Sequence, residues 1–275
     1  MEVTRGTAVI EGLSLATSRG RVACVRAANG TIFVGSIQSR YSRLGSIPFL
    51  RGLYLWFGPG TSDMLWATQT PPPEELPADM KRNPISPFVT AAWVHGLPLF
   101  GLYFSARSLG PSSWETQLAV CAIQLAIYAL YMLVIPRVFV ALHRVFQYAG
   151  AMKMAMWQVA APKTSLRDHP TWHWRSFTVS VTLVLLLIAV GAAVVLPHLR
   201  PGYLVTLGVR VALLPVAIPL ADEFQRVLTK WGHGAIMRVL FAPLVAVDLL
   251  ASRTPDEAIL EVAEVCLSKL RALES

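Results

Sequence analysis

The chain has 275 residues, of which 54% are hydrophobic and 15% charged, and its formal net charge at pH 7 is +8. Charged residues make up about a quarter of an ordinary soluble domain, so this composition excludes that class and indicates an integral membrane protein. The basic residues form no dense block and no aromatic-interleaved strand motif, which argues against a nucleic-acid partner and leaves anionic membrane lipids as the expected partner of the positive charge.

Residues 1–47 predict a small cytoplasmic unit rich in β-structure. Residues 22–26 and 31–37 are β-favouring runs, and Asn29 followed by Gly30 stands between them. Because an Asn-Gly pair supplies the positive φ angles of a tight hairpin turn, we expect the two runs to pair as antiparallel strands.

Two connecting stretches, 48–70 and 71–86, follow this unit. The first is apolar but is interrupted by Pro48, Arg51 and Gly52, so its apolar run is too short to cross a bilayer. We expect an interfacial or re-entrant helix there, with its apolar face at the depth of the lipid headgroups. The second stretch is rich in proline and predicts a stiff linker.

Four long apolar runs lie at residues 87–106, 117–142, 176–197 and 203–222, and each is about as long as a helix that crosses a hydrocarbon layer of ~30 Å. Of the 24 Lys and Arg residues, nine precede the first run, six lie from Arg137 near the end of the second run to Arg175 before the third, and six follow the fourth. The positive-inside rule then places both termini and the central loop 143–175 in the cytoplasm. The predicted fold is an α-helical bacterial inner-membrane protein with four transmembrane helices in a domain spanning residues 87–235.

Residues 236–275 predict two further helices. Residues 236–250 are apolar yet include Asp248, which predicts a second interfacial helix. Thr254 and Glu257 have the spacing of a capping box at the start of the last helix. One apolar stripe follows at helical spacing, and we expect it to dock on the N-terminal β-rich unit.

Short motifs spread along the chain carry a family resemblance. They are AVIEG at 8–12, PFLRG at 48–52, Arg210 with Pro215 and Glu223 in the fourth run, and Pro243 with Arg253 and Pro255 near the end. In their order and spacing the chain resembles the YqhQ-like family of bacterial membrane proteins of unknown function, which are labelled predicted metal-dependent enzymes. The resemblance implies a membrane fold and a site at which His and Glu side chains hold a metal or act as acid and base.

The departures from the family pattern fall at that site. Family members resemble one another in a YHGAEHK-like segment after the second run, whereas Ala149, Met152 and Lys153 here occupy the positions of its His, Glu and His. Neither Ala nor Met supplies an oxygen or imidazole donor, and a protonated Lys cannot ligate a metal. The resemblance therefore implies a degraded site with no metal and no other cofactor, as in a pseudoenzyme.

His169 and His173 are the weak metal candidates that remain. Two ligands four residues apart converge only on a helix, and Pro170 between them argues against a helix. We therefore expect no metal at this pair.

Charged residues of the motifs form a predicted structural network. Arg210 lies about two turns inside the fourth run, where a charge costs several kcal/mol unless it is paired or hydrated. Pro215 and Pro219 follow it and predict a broken helix that lines a polar crevice. We expect these charges to hold the cytoplasmic unit to the helix bundle, and the set is Glu11, Arg51, Arg210, Glu223 and Arg226.

Three classes of function remain open. A non-catalytic membrane scaffold or subunit would bind a partner protein, a second copy of the chain or lipid at the cytoplasmic face, and the missing ligand positions favour it. A metal-dependent membrane enzyme of the family type is supported by the resemblance and by His169 and His173. A small transporter or channel is supported only by Arg210 and the prolines of the fourth run, and the sequence shows no internal repeat.

Overall fold

The computed structural model describes residues 5–9, 11–17, 20–27, 29–38, 114–138, 140–199, 203–231 and 235–274. The helix and linker expected at 48–70 and 71–86, the apolar run at 87–106, and Arg51 lie outside these residues.

Within the described residues, the N-terminal segment forms a four-stranded antiparallel sheet with the order β1-β2-β3-β4, comprising β1 Arg5–Val9, β2 Gly12–Ala16, β3 Gly20–Arg26 and β4 Ile32–Gln38. The two runs expected to pair are β3 and β4, and their hairpin turn contains Gly30 with a φ of 87°. The turn between β1 and β2 contains Glu11 with a φ of 58°, a conformation that residues with side chains rarely adopt.

The remaining described elements are helices. They are α1 Trp114–Val138, α2 Val140–Ala160, α3 Phe177–Val195, α4 Tyr203–Trp231, α5 Ala235–Leu240, α6 Ala242–Leu250 and α7 Glu257–Glu274, with short 3-10 turns at Leu166–Asp168 and Leu196–His198. The end of α2 agrees with the break that Pro162 imposes two residues later.

The prediction of four membrane-spanning helices is wrong for the part of the chain that the structure describes. Two helices there are long and apolar enough to cross a membrane, at Phe177–His198 and Leu204–Trp231. The run at 117–142 is divided between α1 and α2. α2 carries the chain away from the apolar helices and onto the N-terminal sheet, where it contacts β1 and β2.

α3 and α4 form a tightly packed hairpin. Ala192 of α3 and Ala217 and Ala221 of α4 are buried. A Cβ atom on Gly191 would lie 3.0 Å from Leu213 Cδ1, so the glycine allows the two helices to approach closely. Small residues at a crossing are the usual means of packing helices in a membrane.

α4 is a single helix, and the expectation of a broken helix is wrong. Pro215 and Pro219 both lie inside it. Each proline removes one backbone donor, yet the helix is continuous through both positions and packs extensively against α3. Arg210 is buried one turn before the prolines.

α2 and α7 pack on the sheet, and together these elements form a unit that we call the cap. Its buried core contains Leu13, Leu15, Val22 and Cys24 from the sheet, Tyr148, Met152 and Met156 from α2, and Ile259, Val262, Cys266 and Leu270 from α7. The last helix thus docks on the β-rich unit as expected. Cys24 and Cys266, which are isolated in the sequence, are free thiols in this one core.

The start of α7 differs from the predicted capping box. The helix begins at Glu257, and the Ile259 N–H donates to Asp256 Oδ1 at 2.9 Å. Asp256 therefore caps the helix, and Thr254 lies two residues before the cap. Thr254 and Asp256 both precede the apolar run of α7, so spacing alone could not decide which of them is the N-cap.

Candidate functional site

A buried ion pair lies where α2, α6 and the start of α3 meet. Lys153 Nζ of α2 is 2.7 Å from Asp248 Oδ1 of α6, and the two side chains are 3% and 0% exposed. Both residues stand in stretches that are otherwise apolar. Both of its side chains are less exposed than those of the Arg26–Glu261, Arg144–Glu11, Arg167–Glu257 and Arg226–Asp222 pairs.

Hydroxyl and amide groups complete the surroundings of the pair. Ser176 Oγ donates to Asp248 Oδ1 at 2.6 Å, and the His173 N–H donates to Asp248 Oδ2 at 2.9 Å. Lys153 Nζ also donates to the Asp248 carbonyl at 3.2 Å and to Ser252 Oγ. The three ammonium protons of Lys153 thus have three oxygen acceptors, and both carboxylate oxygens of Asp248 have donors. We call these five residues the Lys153–Asp248 centre.

Local structure places each member of the centre. Ser176 is the N-cap of α3, and its Oγ accepts from the Val179 N–H. One hydroxyl therefore both caps the helix and holds Asp248. Ser252 follows the end of α6 and donates to the Asp248 carbonyl at 2.9 Å. The centre therefore joins the cap to the base of the α3–α4 hairpin.

The two charges of the centre stabilise each other at a buried position. Burial lowers the pKa of Lys153 from its ordinary value, and the Asp248 carboxylate opposes that shift by attraction and by a hydrogen bond. A charge at this depth is tolerated because its counter-charge and its hydrogen bonds are all supplied by the protein.

Aromatic rings cover the centre on the side of the central loop. The Trp157 Nε1–H donates to the Trp172 carbonyl, and the Trp157 ring contacts His173 with centroids 4.9 Å apart. Trp172 in turn contacts Trp174 at 4.9 Å. Asp248 and His173 are both buried, at 0% and 2% exposure.

The two predicted metal candidates point to different partners. His173 Nδ1 accepts from the Arg175 N–H at 3.1 Å. His169 Nε2 is hydrogen bonded to Gln158 Oε1, and burial, aided by nearby Lys163, lowers the pKa of His169. In the part of the chain that the structure describes, no three His, Cys, Asp or Glu side chains converge as metal ligands would.

The three positions of the degraded family site also diverge. Met152 faces the sheet, where a Cβ on Gly6 would lie 2.7 Å from its Cγ. Lys153 faces α6 and enters the centre, while Ala149 is only half-buried. Side chains at neighbouring positions of a helix point about 100° apart. Met152 therefore packs in the cap, whereas Lys153 lies where α2, α6 and the start of α3 meet.

The structure describes four of the five charged residues of the predicted network. Glu11 pairs with Arg144 of α2 at 2.7 Å. Arg226 pairs with Asp222 one turn earlier in α4 at 3.0 Å. Glu223 is half-buried on α4 and Arg210 is buried in it. The Glu11–Arg144 pair thus links the β1–β2 turn to α2.

Sequence reasoning missed Asp248 as a partner of Lys153. It assigned Asp248 to a helix lying on the membrane surface, whereas the side chain is fully buried. A signal was present, because Lys153 is the only charged residue at 145–162 and Asp248 is the only one at 239–252. Lone charges of opposite sign in apolar helices are candidates for a buried pair.

A family model described as a protein of unknown function, DUF1385, matches residues 47–272. Comparison with curated proteins and with solved structures gave no match.

Proposed function

Since this chain belongs to the DUF1385 family of proteins of unknown function, we propose from its geometry that it is a non-catalytic membrane scaffold. In this role the α3–α4 hairpin anchors the chain in a bilayer, and the cap presents a rigid surface to a partner protein or a second copy of the chain. Within the family we place it as a divergent, YqhQ-like member.

The Lys153–Asp248 centre carries this proposal. The oxygen atoms of the centre belong to a carboxylate, a backbone carbonyl and two hydroxyls, and such oxygens can also ligate a hard cation. In this structure these oxygen atoms form hydrogen bonds with the Lys153 ammonium and with one another. Lys153 therefore supplies a fixed positive charge in the position where the family resemblance implies a metal ligand. A centre closed in this way holds three elements together and leaves no open coordination position for catalysis.

The membrane anchor is supported by the length and composition of α3 and α4. Their connection at 199–202 contains one basic residue, whereas six lie between residues 137 and 175 and six follow residue 225. We propose that the connection faces outward and that the cap lies in the bacterial cytoplasm at the inner membrane.

The metal content of the purified protein tests the proposal. We expect no stoichiometric zinc, iron or manganese by elemental analysis, and we expect His169→Ala and His173→Ala to leave both metal content and fold unchanged. One bound transition metal per chain that is lost with either histidine would establish the metal-dependent class instead.

A scaffold must also form a complex of fixed composition. Extraction from native membranes in mild detergent, followed by native mass spectrometry, should recover the chain with a partner or a second copy at a constant ratio. Recovery as a metal-loaded monomer would contradict the scaffold role.

A further inference from the structure

An exposed apolar ridge runs along the whole of α4. Its members recur every three or four residues and are Leu204, Gly208, Ala212, Val216, Leu220, Phe224, Val227 and Trp231. Residues at this spacing lie on neighbouring turns of a helix, so they form one continuous surface. All eight residues are exposed, and Trp231 at the end of the ridge is 67% exposed.

The ridge is longer than the hydrocarbon layer of a membrane. α4 has 29 residues, which corresponds to about 43 Å, whereas the layer is ~30 Å thick. About 13 Å of the helix must therefore lie outside it if the helix stands near the membrane normal.

Gln225 shows which end of α4 projects. Its Nε2 donates to the Trp174 carbonyl at 2.7 Å and to the Ser176 carbonyl at 3.0 Å. Gln225 is thus level with the start of α3. Val227 and Trp231 lie beyond that level, on the side of the cap.

The projecting end of α4 has three distinct faces about 120° apart, as counted at 100° per residue. Ala221, Gln225 and Leu228 form the buried face. The charged face comprises Asp222, Glu223, Arg226 and Lys230, and the exposed apolar face comprises Phe224, Val227 and Trp231. A helix with a charged face and a separate exposed apolar face is typical of a segment at a membrane surface.

α5 extends the exposed apolar face. Phe241, which follows α5, contacts Phe224 with ring centroids 5.6 Å apart. Val239 and Leu240 at the end of α5 are 76% and 65% exposed. We call the surface made by Phe224, Val227, Trp231, Val239 and Leu240 the foot.

We propose that the foot lies in the headgroup layer of a lipid bilayer and fixes the depth of the α3–α4 hairpin. The foot continues the apolar ridge of a helix proposed to cross that bilayer, so the proposal rests on the membrane anchor of the proposed function. Trp231 is a residue type enriched at this depth. Lys230 on the adjoining face is exposed and is placed to reach anionic headgroups.

Spin-label accessibility of the full chain tests the foot in nanodiscs of phosphatidylethanolamine and phosphatidylglycerol. Single cysteines at Val227, Trp231 and Val239 probe the foot, and Glu223 and Lys230 serve as matched controls on the charged face of the same helix. Leu186 and Val190 on the exposed face of α3 report on the anchor itself. Labelling of the parent chain is measured first, and any native cysteine that reacts is replaced by alanine.

We expect labels on the foot to collide several-fold more with oxygen than with a water-soluble nickel chelate, and labels at Glu223 and Lys230 to show the reverse. A foot accessible to nickel, with Leu186 and Val190 still in lipid, would overturn the proposal and leave the anchor standing. A foot protected from both reagents would show that protein covers it and would also overturn the proposal. Nickel access at Leu186 and Val190 would refute the anchor.

Discussion

Replacing Lys153 with methionine keeps most of the side-chain volume but removes the ammonium group, and it should lower the free energy of unfolding by about 3–5 kcal/mol. The size of this loss follows from the groups that remain around Asp248 in the variant. Asp248 stays 0% exposed and keeps its hydrogen bonds from Ser176 and His173, but its carboxylate has lost the counter-charge. Two donors do not replace a buried positive charge.

Equilibrium unfolding in detergent, followed by the near-ultraviolet circular dichroism of the buried tryptophans, measures this loss. Arg167→Met is the matched control, because it breaks the Arg167–Glu257 pair, whose side chains are 54% and 77% exposed. Exposed pairs contribute about 1 kcal/mol or less. In the double variant Lys153→Met, Asp248→Leu, no buried charge of the pair remains, so the combined loss should be well below the sum of the single losses. The reasoning fails if Lys153→Met costs no more than Arg167→Met, or if the two single losses simply add.

Two further predictions concern the contacts around α2 and a matched position on α4. Gly150→Ala should destabilise the protein by about 1–3 kcal/mol, because the new Cβ would lie 2.1 Å from the Arg253 carbonyl oxygen. In the control Gly208→Ala the new Cβ meets nothing within 4 Å, so this change should stabilise the protein by about 0.5–1 kcal/mol. Equal effects of the two changes in thermal unfolding would contradict the tight contact at Gly150. Burial, with a contribution from the Glu11 carboxylate, raises the pKa of Tyr148 from 10.0 to about 12. The unfolded chain therefore loses this proton first, so stability should fall as the pH rises from 10 to about 12, by up to ~1.4 kcal/mol per pH unit. Tyr148→Phe should remove that part of the slope, and identical slopes in the two proteins would refute the burial of the hydroxyl.

Features set by neighbouring residues could be predicted from the sequence. Asn29 and Gly30 act on the strands beside them, and Pro162 acts on the helix before it, so β3, β4 and the end of α2 fall where expected. The apolar stripe of α7 correctly indicated a docked helix because a short amphipathic helix needs a surface to bury its apolar face.

Features set by tertiary packing could not be predicted in this way. Pro215 and Pro219 lower the local preference for helix, yet packing against α3 outweighs that preference. Lys153 and Asp248 are 95 residues apart, and each alone is compatible with a snorkelling or surface position. Only the fold brings them together, which is why the sequence suggested a degraded metal site there and the structure shows an ion pair.

The cap joins the two ends of the chain, and this sets an order for biogenesis. The Cys266 thiol on α7 contacts the Val22 carbonyl across 244 residues of sequence, so α7 can cover the sheet only after the α3–α4 hairpin has been synthesised. While the α3–α4 hairpin is synthesised, part of the apolar surface of the sheet stays exposed, including that of Leu13, Leu15 and Val22. Contacts of such high sequence separation form slowly. The hairpin is therefore synthesised before the cap can close, and until then the uncovered sheet is open to aggregation or to capture by a chaperone.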